Sequence, residues 1–141
     1  MEDLVRQVEY FSTEVPDRPG AAFKILSTFV SAGIRLLACS GTQRGGRAEI
    51  DVVPADSQEF STVAKKAGIE FEAKKSGFLI QGQGDERQCS LTGHLEKLAV
   101  AGINVSAIDA VTAGAGRFGA ILWVPPEDVA KAANALGVRT R

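Results

Sequence analysis

The residues best suited to chemistry in this 141-residue sequence are Asp17-Arg18-Pro19-Gly20, where a strand pattern gives way to a helix pattern. Pro19 suits a first helical position, because its φ is preset and the N–H it lacks would be unpaired there anyway. Arg18 precedes a proline and is biased to extended backbone, as a helix cap requires. This reading leaves the N–H groups of Gly20, Ala21 and Ala22 unpaired at the positive end of the helix. Gly20 has no side chain, so a small molecule can approach the backbone closely. Such a terminus suits a carboxylate, and Asp17 can take an ammonium group. Carboxylate and ammonium together describe an amino acid. The same residues also fit a plainly structural role in which Asp17 caps the helix.

Other motifs carry less. Gly82-Gln83-Gly84-Asp85-Glu86-Arg87-Gln88 stands at a second strand–helix junction, with Asp85 and Gln88 at capping-box spacing. Gly114-Ala115-Gly116-Arg117-Phe118-Gly119 matches a dinucleotide fingerprint, but that fingerprint must open a helix. Here Ala120-Ile121-Leu122-Trp123-Val124 follows, a strand, so the glycines make a hairpin turn. His94 lies beside the apolar stripe of a helix without a second metal ligand, and is expected to be a partly buried structural histidine. Neither Cys39 nor Cys89 has a histidine at a suggestive spacing, and no carboxylates pair as an acid–base couple. No catalytic residue, metal site or cofactor is expected.

The elements that position these residues repeat. Gly33, Gly68, Gly102 and Gly137 each end a helical stretch, at intervals of 35, 34 and 35 residues, and Ile34, Ile69, Ile103 and Val138 follow them. Ala32-Gly33-Ile34 maps onto Ala101-Gly102-Ile103 at an offset of 69, which marks an internal duplication. The first copy reads as strand 5–15, helix from Pro19 to Gly33, strand 34–42, a turn at Gly45-Gly46, strand 47–53, a helix capped by Asp56 or Ser57, and strand 69–74. The second reads as strand 77–82, helix 86–101, strands 103–112 and 117–124, helix 126–136 and a short end at 138–141. Lys74-Lys75-Ser76-Gly77 is the expected linker between units 1–75 and 76–141. The order β-α-β-β-α-β, twice, predicts an α+β protein of two ferredoxin-like units in tandem. Each unit has an antiparallel sheet with its helices on one face.

In the second copy Gly119, Ile121 and Trp123 form an apolar row where the first has Glu49 and Asp51. That face is expected to be covered by the chain's own loops or by another sheet in a dimer. Leu36, Leu37 and Ala38 at the edge of the second strand favour edge pairing over exposure. With 16 basic and 17 acidic residues the net charge is −1, which gives no long-range attraction to phosphates or anionic lipid. Glu2 and Asp3 follow Met1, unlike the basic start of a secretory signal. No apolar run reaches membrane-spanning length. Two distant cysteines read as reduced cytosolic thiols, and the expected location is cytoplasmic.

The β-α-β-β-α-β unit, Asp17-Arg18-Pro19-Gly20, and Ala32-Gly33-Ile34 or Ala101-Gly102-Ile103-Asn104-Val105 together resemble the ACT domain, in two copies covering nearly the whole chain. The second copy lacks the Pro-Gly of that loop. The resemblance implies a non-catalytic regulatory module that binds an amino acid and is partnered with an enzyme of amino-acid metabolism, as a homodimer. Members hold ligand between the first strand–helix loop of one unit and the second strand of its neighbour. This nominates Asp17, Arg18, Pro19, Gly20 and Ala21, with Gly84, Asp85 and Arg87 in the second copy. Arg35, Leu36, Asn104 and Val105 are the facing strand residues. Alternatives are a structural dimerisation module that binds no small ligand, a small ferredoxin-like acyl-phosphate hydrolase using Arg18, and an RNA-binding module of the same element order.

Overall fold

A computed structural model describes residues 3–83 and 91–138, Arg44 by its backbone alone. The elements are β1 (Leu4–Pro16), α1 (Ala21–Ser31), β2 (Leu36–Arg44), β3 (Arg47–Pro54), α2 (Ser57–Ala67), β4 (Glu72–Gln83), α3 (Leu91–Val100), β5 (Ala107–Gly114), β6 (Arg117–Trp123) and α4 (Val129–Leu136). The four helix-ending glycines all adopt left-handed φ, between 69° and 78°. The residue after each donates its N–H to the carbonyl five residues back, Ile34 to Phe29, Ile69 to Ala64, Ile103 to Leu98 and Val138 to Ala133. This is the Schellman closure, and it explains why Gly followed by a β-branched residue recurs. The hairpin turns are two-residue loops with both residues left-handed: Gly45-Gly46 at 51° and 81°, Ala115-Gly116 at 55° and 72°.

The chain forms two compact units. One is Glu9–Lys74; the other combines Met1–Val8 with Lys75–Arg141. In the 9–74 unit the strand order is β2-β3-β1-β4, with β3 antiparallel to both β1 and β2. Phe11, Val15, Ile50 and Val52 line one face of this sheet and pack on Phe29 and Phe60 of the helices. The rings of Phe29 and Phe60 stack at 4.4 Å, with Phe11 and Phe71 at 4.7 and 5.0 Å from Phe60. In the other unit the order is β1-β4-β6-β5. Phe78, Ile80 and Leu122 of its sheet pack on Leu98, Ala132 and Leu136. Both units are therefore ferredoxin-like, with the first strand central and the helices on one face.

Two expectations change. Of the short end expected at 138–141, residues 139–141 lie outside the described residues. The sequence places residues 1–8 with the first unit. Instead the start of β1 takes the fourth-strand place beside β4, with Val5 packed on that unit's core, while the Val138 N–H closes α4. The division between units does fall at Lys74 and Lys75, but Lys74-Lys75-Ser76-Gly77 is strand rather than linker: it lies inside β4, where Ser76 is buried and its carbonyl accepts a hydrogen bond from the Val124 N–H at 3.1 Å. The row of Leu79, Ile121 and Trp123 is 4–8% exposed, so this apolar face is covered within a single chain.

Candidate functional site

Asp17–Gly20 connects β1 to α1 and is exposed throughout. Its geometry is set by the neighbouring hairpin. Pro16, the last residue of β1, stands opposite Arg47, and the Asp17 N–H donates to the Gly46 carbonyl at 3.1 Å. The Arg18 N–H turns back to the Pro16 carbonyl at 2.9 Å. Helix α1 starts two residues later than Pro19 suggested. Gly20 is its cap, with φ of 88°, a conformation that suits glycine. Ala21 donates to the Arg18 carbonyl at 3.3 Å and Lys24 to that of Gly20 at 3.0 Å. The N–H groups of Ala22 and Phe23 make no backbone hydrogen bond among the described residues, and no side chain caps the helix at Gly20. Of the expected donors Gly20 to Ala22, only Ala21 is engaged; Gly20 and Ala22 stay open among the described residues, and Phe23 joins them. Asp17, expected in one reading to cap the helix, does not do so.

The remaining nominated residues are distributed by the fold. Leu36 stands opposite Pro54, at the end of β2 away from the Asp17 loop, whereas Arg44 stands opposite Arg47 beside it. Eight strand steps at about 3.3 Å each separate them by roughly 26 Å. Arg35 precedes Leu36 and is exposed. One unit therefore does not bring Arg35 and Leu36 to its own loop. Ala107 likewise pairs with Trp123 and Gln83 with Arg117, so Asn104 and Val105 lie at the far end from the close of β4. Ala21, Leu36 and Val105 pack against the cores, while Asn104 is exposed. Gly84, Asp85, Arg87 and Cys89 lie outside the described residues.

One further feature went unread in the sequence. An open groove of about 430 Å³ in the 9–74 unit is lined by Ser12, Thr13, Glu14, Glu49, Glu70, Phe71, Glu72 and Lys74. Its glutamates come from three strands and their flanks, so no local motif announces it. It contains none of the loop residues, and no group of three or more metal-ligating side chains occurs among the described residues. Cys39 is a free thiol on β2. Partial burial, and then the Asp51 carboxylate, push that thiol above the ordinary cysteine range, although the residue as a whole is exposed. It is held protonated rather than activated as a nucleophile. His94 is buried, as expected, and bonded to Asp3.

No protein-family model matches the sequence, and no curated protein matches it. Solved structures do. A protein of Bacteroides thetaiotaomicron superposes with a TM-score of 0.74 at 11% identity, over 94% of this chain and 88% of that one. The ligand-free regulatory subunit of aspartate kinase from Thermus thermophilus gives 0.62 at 18%, over 96% and 94%. Aspartate kinase from Synechocystis gives 0.60 at 16%, over 99% of this chain and 27% of that one. At these identities the likeness establishes the fold. That fold is a tandem of two ferredoxin-like units. No helix among the described residues is long and apolar enough to cross a membrane.

Proposed function

We propose that this chain is a non-catalytic regulatory protein that binds a free amino acid at Asp17–Ala21. The open start of α1 carries the proposal. It presents the Ala22 and Phe23 N–H groups at an exposed helix terminus with Gly20 as cap, and Asp17 stands before it without capping it. Ligand carboxylate at the N–H groups and ammonium at Asp17 is the pairing these groups suit. Because Arg35 and Leu36 lie far from their own loop, the facing strand would come from a second copy in a homodimer. A role in controlling an enzyme of amino-acid metabolism is supported by the shared fold of aspartate kinase regulatory subunits. The free Cys39 supports a reducing, cytoplasmic setting.

Thermal unfolding against each of the twenty amino acids at millimolar concentration tests this. A ligand at 100 times its Kd stabilises by about 2.7 kcal/mol, a shift of several degrees for a small domain. One amino acid is expected to give the shift, and Asp17→Ala to remove it without changing the unliganded Tm by more than about a degree. Silence from all twenty would favour the second reading, a structural dimerisation module. The observation behind that reading is the edge strand β5, exposed along its whole length.

A further inference from the structure

A buried polar pair lies well away from the Asp17 loop. His94, in α3, is 9% exposed. Its Nε2 is 2.8 Å from the Asp3 Oδ2, and the Asp3 side chain is itself only 12% exposed. The other carboxylate oxygen lies against β4. A Cβ placed on Gly82 would fall 2.5 Å from Asp3 Oδ1 and would overlap the Phe118 ring at Cε1. Glycine at 82 is what leaves room for the carboxylate and the ring. Along the same segment Arg6 Nη2 donates to Gln81 Oε1 at 2.9 Å, and Gln7 Nε2 donates to the Lys75 carbonyl at 3.2 Å. At the repeat offset of 69, the residue matching His94 is Ile25, which packs on the apolar core of the 9–74 unit. A buried polar pair here replaces an apolar contact. Such a pair gains little over an apolar one when intact, but losing one partner strands the other.

The two parts of β1 are also held differently. Pairing with β3 runs from Phe11↔Val52 to Pro16↔Arg47 and does not reach residues 4–8. Residues 4–8 have β4 as their sheet neighbour within their own unit, and Leu4 is 54% exposed. The division between units falls at Val8 and Glu9, inside the strand.

We propose that residues 3–8 are a releasable strap latched by the Asp3–His94 pair, with its hinge at Val8–Glu9. Release withdraws the fourth strand from beside β4 and uncovers that edge, while residues 11–15 stay paired with β3. This conformational device is independent of the amino-acid reading above and survives its failure.

Native-state hydrogen exchange of the full chain, read by mass spectrometry, tests the strap. In the wild type, amides of residues 4–8 are expected to exchange by a local opening, ahead of those of residues 11–15. Asp3→Ala should speed exchange of 4–8 by about tenfold or more and that of 11–15 by no more than about twofold. Asp3→Asn, which keeps a hydrogen-bonding group, should fall between. Residues 4–8 and 11–15 exchanging together in the wild type would overturn the proposal, and so would no acceleration of 4–8 in Asp3→Ala. The wild-type comparison decides alone if the variants do not fold.

Discussion

Gly82 and Gly93 lie eleven positions apart, and substitution by alanine should have opposite effects at the two. At Gly82 the added methyl meets Phe118 and the Asp3 carboxylate well inside contact distance. Gly82→Ala should cost about 1–3 kcal/mol, because the ring and the buried pair must both shift. At Gly93, inside α3, a Cβ meets nothing within 4 Å and φ is not positive. Gly93→Ala should therefore stabilise by about 0.5–1 kcal/mol, the usual gain of alanine over glycine in a helix. Urea unfolding of both variants checks the pair. The Asp3–His94 contact behind the first effect was not legible in the sequence. The two residues are 91 positions apart, and a lone histidine beside an apolar stripe only signals that some partner is needed.

Among elements, the two helices of the 9–74 unit begin differently, and the difference separates a structural terminus from an open one. Asp56 Oδ1 accepts from the N–H groups of Gln58 and Glu59, both at 3.0 Å, so α2 has a side-chain cap. Asp56→Ala should destabilise by about 1 kcal/mol, read as a lowered urea midpoint. Asp17→Ala, which removes no cap, should leave that midpoint nearly unchanged. Helix ends and hairpin turns were legible because glycine chemistry is local. The start of α1 was not, since Pro19 fits a first helical position equally well and only the left-handed Gly20 moves the helix on. Lys74-Lys75-Ser76-Gly77 has the composition of a turn; burial of Ser76 against β6 overrides that preference. The candidate loop was readable as a place, but its distance from Arg35 and Leu36 depends on strand register, which composition does not encode.

For the whole molecule, the element order is shared with modules that read single-stranded RNA, and aromatic placement distinguishes the two. RNA readers expose aromatics on the sheet and carry a basic surface. Here Tyr10 of β1 and Trp123 of β6 are 6% and 8% exposed, and Phe11, Phe29, Phe60 and Phe78 are buried in the two cores. Phe71 and Phe118 are half-buried, which leaves Phe23, 72% exposed, on a helix rather than a strand. Sheet positions beside Tyr10 hold Ser12, Glu49 and Asp51 instead of stacking platforms or cations. With a net charge of −1 there is little counterion release to drive association. Fluorescence anisotropy with a labelled single-stranded RNA at about 50 mM salt, where electrostatic binding is strongest, should show no binding at micromolar protein. A zwitterionic amino acid carries no net charge, so its binding at Asp17–Ala21 should change little between low and physiological salt. Steeply salt-dependent RNA binding would mean that the buried sheet aromatics become accessible and that the acidic strand positions are not the binding face. A salt-insensitive amino-acid shift beside silent RNA titrations is what a site built from one carboxylate and two backbone donors requires.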